Sequence, residues 1–109
     1  NYMKSFASIS DKLKPIWVDK RCDPVWWFTS FLTDQREELA EYLLDKGVQT
    51  RKFFCPLHMQ PCYDFMDFDR SKFTISEKAY KEGISLPSAY NLSQKEQDYI
   101  INLITEFFK

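Results

Sequence analysis

Two prolines, Pro56 and Pro61, lie in the middle of the chain and limit what the segment around them can form. Proline has no N–H to donate and restricts the residue before it, so neither a regular strand nor a helix can continue through both positions. The segment 53–63, FFCPLHMQPCY, also holds the only histidine and two of the three cysteines. The sequence therefore predicts a shaped loop here, with regular elements on either side.

The residues before the loop favour strands and one clear helix. Apolar positions in 1–14 recur at three- and four-residue spacing and suit a short helix. Residues 15–19 and 25–32 are rich in β-branched and aromatic residues, and the turn-like KRCDP between them predicts an antiparallel pair. Aromatic residues alternate onto both faces of 25–32, which predicts a strand covered on both sides.

Residues 34–46 carry apolar residues at helical spacing, and both ends of this helix are marked in the sequence. Thr33 is a candidate N-cap, and Gly47 supplies a left-handed stop. The alternation in 48–54, VQTRKFF, predicts a third strand that leads into the loop.

After the loop the pattern predicts helix, strand and helix. Residues 76–82 form the first helix, which ends at Gly83, and residues 84–87 form a brief strand. Ser93 and Glu96 stand at the spacing of a capping box, which opens the final helix. The fold class predicted from this order is α+β, a small and mostly antiparallel sheet with helices packed on it.

Composition limits the domain count and the compartment. A chain of 109 residues predicts one domain, 1–109, and 44% hydrophobic residues exclude a disordered chain. Aromatic residues make up 17%, which exceeds what a small core easily buries, so part of that surface is expected to pack against another chain or absent sequence. The first residue is Asn1, so the sequence can be a piece of a longer protein.

Charge and hydropathy exclude two classes of partner. The 15 basic and 16 acidic residues are interspersed, so no basic face for nucleic acid is predicted. The apolar runs are too short to cross a bilayer, and no signal peptide is evident. Three cysteines, an odd number, suit a reducing compartment, and a soluble, cytoplasmic protein is expected.

The loop allows four interpretations. Cys55, His58 and Cys62 have the local spacing of a zinc knuckle, with Cys22 as the possible fourth ligand. A Cys55–His58 nucleophile would need a third, orienting group, and no carboxylate is evident for that role. The third interpretation is the wall of a binding site for a polar small molecule, formed by an arginine, aromatic rings, an imidazole and an amide. The fourth is that the loop only packs across the sheet.

An ordered set of short segments resembles a known family over nearly the whole chain. The matching pieces are Trp27-Phe28, REELAEYL (36–43), GVQTR (47–51), PLHMQP (56–61), ISLP (84–87), Leu92-Ser93, Glu96 and Tyr99-Ile100. Their order and intervals resemble the C-terminal segment of the DegT/DnrJ/EryC1/StrS sugar aminotransferases. No single piece is decisive, whereas the ordered set is fairly specific.

The resemblance implies a function that this chain would share with absent sequence. The family uses pyridoxal phosphate to move an amino group onto a keto group of a nucleotide-linked sugar, and its members are fold-type I enzymes that work as homodimers. The chain would be the C-terminal small domain, without the large domain that carries the Schiff-base lysine. It would therefore hold no cofactor and be inactive alone.

The resemblance also implies site residues. His58, with Arg51 and Phe54 around it, would contact the sugar or its diphosphate, while no catalytic residue and no metal ligand is assigned. The alternative is a free-standing binding or interaction module that derives from such a domain and has no catalytic activity.

Overall fold

The computed structural model describes all residues, 1–109, and contains one four-stranded antiparallel sheet with strand order β1-β2-β4-β3. The strands are β1 (Lys14–Pro15), β2 (Thr29–Leu32), β3 (Arg51–Lys52) and β4 (Gly83–Leu86). The α-helices are α1 (Tyr2–Ser5), α2 (Arg36–Asp45), α3 (Thr74–Glu82) and α4 (Gln94–Phe107). Four 3-10 turns accompany them, at Ala7–Ile9, Leu57–Met59, Pro61–Tyr63 and Arg70–Phe73. The α+β class and the predicted order of elements are confirmed.

One face of the sheet carries the hydrophobic core. Phe31 of β2 and Ile84 of β4 are cross-strand partners, so their side chains lie on the same face. Both are fully buried, in one cluster with Leu39 and Leu43 of α2 and Ile104 of α4. Helices α2 and α4 therefore cover this face.

The opposite face of the sheet carries a row of polar residues. Ser30 of β2 is the register partner of Ser85 of β4, and Ser85 is in turn the partner of Arg51 of β3. Because directly paired residues point to the same side, these three side chains form a line across three strands. We call this line the floor row.

The helix ends follow the predicted local chemistry, with one shift. Ser93 and Glu96 form the capping box at the start of α4, and Gly47 follows α2 with φ +79°. Helix α2 begins at Arg36, two residues later than the predicted 34, and its N-cap is Gln35 instead of the predicted Thr33. Thr33 makes two other contacts. Its hydroxyl accepts a hydrogen bond from the Gln35 N–H at 3.3 Å, and its own N–H donates to the Glu82 carbonyl.

Helix α1 is tied to the far end of the chain. The hydroxyl of the buried Tyr2 donates to the Pro87 carbonyl at 3.0 Å, and burial raises the pKa of Tyr2 to about 12. The helix predicted within residues 1–14 is present only in part, as α1 followed by the 3-10 turn Ala7–Ile9.

Three predicted strands are shorter than expected. The spans 15–19, 25–32 and 48–54 reduce to β1, β2 and β3, although the predicted pairing of the first two is correct. Both β1 and β3 lie at sheet edges, where each has a single partner strand. Pro15 lacks an N–H and ends the first of them early.

The prediction that 25–32 is covered on both sides is wrong. Val25, Trp26 and Trp27 precede β2 instead of extending it, and all three are exposed, Trp27 by 74%. Aromatic residues favour strands because they pack on pleated surfaces, so the preference has no effect where no neighbouring strand is present.

No helix in the structure has the length and apolarity needed to cross a membrane.

Candidate functional site

The structure has a cavity between the polar face of the sheet and helix α3, which we call the first cavity. Its volume is about 540 Å³, within the range of small-molecule sites. The three residues of the floor row form its base, and Ser76, Ala79 and Tyr80 of α3 face them. The strand order explains why the cavity lies here. Strand β4 carries Ser85 in the middle of the floor row, and it directly follows α3 in the chain.

The floor row combines hydroxyl groups with a cation. The Ser30 and Ser85 hydroxyl oxygens are 2.8 Å apart, so one donates to the other. Arg51 is exposed, and its guanidinium takes part in none of the seven ion pairs of the chain. An uncommitted guanidinium beside two hydroxyl groups is suited to a phosphate or carboxylate.

Aromatic side chains form the walls of the first cavity. Phe28, Phe53, Phe54 and Tyr80 line it, and the rings of Phe28 and Phe54 meet edge to face with centroids 6.3 Å apart. Phe54 is 78% exposed. Exposed rings beside a cation can hold a planar ligand by stacking.

The second cavity adjoins the first and shares three residues with it, Phe28, Arg51 and Ser85. Its volume is about 470 Å³. The other lining residues combine indole and phenol rings with short polar groups: Trp26, Trp27, Gln49, Leu86, Pro87, Ser88, Ala89 and Tyr90. Neither cavity is lined by Asp or Glu, so the pair of cavities favours an anionic ligand.

His58 lies apart from these cavities. Its ring stacks on Phe73, with centroids 4.3 Å apart, and its Nε2 is 3.0 Å from Oε1 of Glu77. The side chain is 4% exposed, and it lines neither cavity. Of the three predicted site residues, the structure brings Arg51 and Phe54 together at the first cavity, while His58 lies on the 57–59 turn and contacts Phe73 and Glu77.

Glu77 also joins His58 to Arg70. Its Oε1 also accepts from Arg70, and the hydrogen bond from His58, followed by that from Arg70, lowers the pKa of this carboxyl. A carboxyl with a lowered pKa in the folded state stabilises the fold above its ordinary pKa, and that stabilisation is lost as pH falls through the folded value.

We therefore expect the urea midpoint to fall as pH is lowered from about 5 to 3, and Glu77→Gln to reduce this fall. The control is Glu41→Gln, which removes an acid outside every ion pair of the chain. If the urea midpoints of wild type and Glu77→Gln changed with pH in parallel, Glu77 would not be the source of this loss of stability.

The two chemical alternatives for the loop gain no support from the geometry. No group of three or more His, Cys, Asp or Glu in the chain is arranged to hold a metal ion. His58 is engaged with Glu77, while Cys55 lies against the carbonyl of Pro56, with sulfur and oxygen 3.7 Å apart. The structure contains no Cys–His hydrogen bond that could activate a thiol.

The cavities lack the groups that pyridoxal phosphate chemistry requires. This cofactor needs a lysine for its imine and a partner for its ring nitrogen. Lys52 is the only lysine that lines either cavity, and its Nζ pairs with Glu37 at 3.0 Å. Neither cavity is lined by an acid that could pair with the ring nitrogen, so the residues present do not fit this cofactor.

Sequence reasoning missed the two serines. Ser30 and Ser85 are 55 positions apart, and only the register between β2 and β4 brings them together. The alternation of 84–87 gives the only available indication, since it sets Ser85 opposite to Ile84 and Leu86.

Comparison with known proteins gives one consistent result. The sequence model of the DegT/DnrJ/EryC1/StrS aminotransferase family matches residues 1–105. GDP-perosamine synthase of Escherichia coli O157:H7 is 38% identical over 86 residues, which are 76% of this chain and 23% of that protein. A pleiotropic regulatory protein of Geobacillus stearothermophilus is 33% identical over 76 residues, 69% of this chain and 20% of that protein.

The fold is also found in solved structures. S. venezuelae DesV, solved in complex with a ketimine intermediate, superposes with a TM-score of 0.90 and 22% identity over 99% of this chain and 29% of that one. The chain therefore spans about a fifth to a quarter of the curated relatives it matches, and under a third of this structural neighbour.

Proposed function

This chain belongs to the DegT/DnrJ/EryC1/StrS aminotransferase family, and on that premise we propose that it is the C-terminal small domain of a pyridoxal phosphate-dependent aminotransferase acting on a nucleotide-linked keto sugar. The observation that carries the proposal is the family match over 1–105, combined with relatives four to five times as long as the matched part. The chemical step would belong to the rest of the enzyme.

The role proposed for this chain is substrate contact. The exposed guanidinium of Arg51 binds the diphosphate, and Phe54 covers a ring beside it. The absence of acids from both cavities supports an anionic substrate. The substrate contact expected of His58 stays a prediction, and its buried ring assigns it a second role, holding the loop on α3.

The cofactor and the partners follow from the same proposal. Pyridoxal phosphate would be bound by a large domain that precedes this one, in an enzyme that functions as a homodimer. The exposed side chain of Trp26 provides apolar surface for such a domain or for the second subunit. The rest of the enzyme would supply the lysine and the acid that both cavities lack.

The first test is the intact mass of the native protein, captured from its source with an antibody to this segment. A mass several times 13.1 kDa supports the proposal, since it leaves room for a cofactor domain. A mass of 13.1 kDa would contradict it and favour the free-standing binding module.

In the native enzyme, we expect Arg51→Met to raise KM for the nucleotide sugar by about tenfold or more, since a charge-assisted hydrogen bond contributes about 1.5–3 kcal/mol. Binding lost equally from substrate and transition state leaves kcat unchanged. Arg21→Met is the matched control, because Arg21 is exposed, pairs only with Asp19 and lines neither cavity. Equal KM values for the two variants would exclude Arg51 from the substrate site.

A further inference from the structure

The two cavities have different chemistry and meet at one cation. The first is walled by four aromatic side chains, and Lys52 adds a second cation at its edge. The second contributes Trp27 together with Gln49 and Ser88, an amide and a hydroxyl. Arg51 and Ser85 line both cavities. Along the sheet, the aromatic first cavity is therefore followed by Arg51 and Ser85, which can bind an anion, and then by the second cavity with its indole ring.

We infer that these cavities divide a nucleotide sugar between them: the base lies in the first cavity, the diphosphate on Arg51 and Ser85, and the hexose in the second. The inference rests on the proposed function and goes beyond it by assigning each part of the ligand to named residues. A nucleotide sugar has the same order of groups, since its diphosphate lies between two rings.

The base matches the first cavity because its planar ring can stack on an exposed aromatic side chain. Phe54 is 78% exposed, and Phe28 supports it from the side. Stacking of this kind is worth about 1–3 kcal/mol per base and tolerates different bases. The Ser76 hydroxyl lies at the same cavity and can exchange a hydrogen bond with a polar edge of the base.

The hexose matches the second cavity because a sugar ring has an apolar C–H face and a polar rim. The indole of Trp27 is 74% exposed and held by stacking on Phe28, with ring centroids 4.6 Å apart. An aromatic face of this kind can cover the C–H face. Gln49 and Ser88 can then exchange hydrogen bonds with the hydroxyl groups of the rim.

The test is calorimetry of this chain with GDP, dTDP, GDP-mannose and dTDP-glucose at millimolar concentration. We expect the sugar-linked ligands to bind more tightly than the diphosphates. Phe54→Ala should weaken all four by about tenfold. Trp27→Ala should weaken only the two nucleotide sugars and bring them to the level of the diphosphates. Arg51→Met should weaken every ligand.

Matched controls separate these effects from general losses. Phe65→Ala and Trp17→Ala remove side chains that are 82% and 79% exposed and line neither cavity, so both should bind like wild type. The four substituted aromatic residues, two in the cavities and two controls, are all exposed, so these variants should fold. Thermal melts check this.

Three results would overturn the inference: no binding of any probe, loss of diphosphate binding in Trp27→Ala, or unchanged binding in Phe54→Ala. Failure of the proposed function would appear separately, as a native protein that binds these ligands in the predicted pattern and transfers no amino group. If the native protein transferred the amino group normally but the variants did not show the expected binding pattern, the proposed function would stand. Only the assignment of the base and the hexose to the two cavities would be wrong.

Discussion

Gly83→Ala should destabilise the domain by about 3 kcal/mol or more, because the position has no room for a side chain. A Cβ on Gly83 would overlap the Ala79 carbonyl oxygen and the ring of Phe53. Backbone strain is not the cause, since φ at Gly83 is −78°. The carbonyl belongs to helix α3 and cannot move without opening its last turn, so the strain would enter β4 or displace Phe53.

Urea denaturation of wild type and variant would measure this loss. The matched control is Gly47→Ala, where nothing lies within 4 Å but φ is +79°. A left-handed conformation costs a residue with a Cβ about 1 kcal/mol, so the control should lose less than the variant. A larger loss for Gly47→Ala would mean that the contact at Gly83 relaxes easily. Because Phe53 lines the first cavity, Gly83→Ala should also weaken nucleotide binding.

Local chemistry explains which elements the sequence predicts well. The capping box at Ser93 and Glu96 and the stop at Gly47 each depend on residues within a few positions, and all are present as expected. The strand lengths were predicted less well because a strand ends where its partner ends. The aromatic run before β2 has a strong strand preference, but no strand pairs with it.

The candidate site was predictable only in part, for the same reason. Arg51 and Phe54 lie close together in sequence and reach the same cavity. Ser85 joins Arg51 through the register of β3 with β4, which no local pattern determines. His58 was expected beside them, yet its contacts are Glu77 and Phe73, residues that follow it by more than a dozen positions on α3 and the turn before it. The resemblance to the family located the loop without orienting its side chains.

Phe31→Ala should destabilise the domain strongly and unfold much of the population at moderate temperature. Phe31 is 1% exposed, meets the ring of Phe6 edge to face with centroids 5.4 Å apart, and pairs across the sheet with the buried Ile84. Truncation of a buried phenylalanine costs about 3–5 kcal/mol, which is much of the 5–15 kcal/mol that stabilises a typical domain.

The consequence of Phe31→Ala should extend to the opposite face of the sheet. Ser30 precedes Phe31 on β2 and belongs to the floor row, so a cavity beneath β2 loosens the strand that positions its hydroxyl. Phe65→Ala is the control and should change stability by less than about 0.5 kcal/mol, since its ring is 82% exposed. Thermal melts of the two variants measure the difference. Equal melting temperatures would mean that the stability of the core does not depend on the Phe31–Phe6 contact.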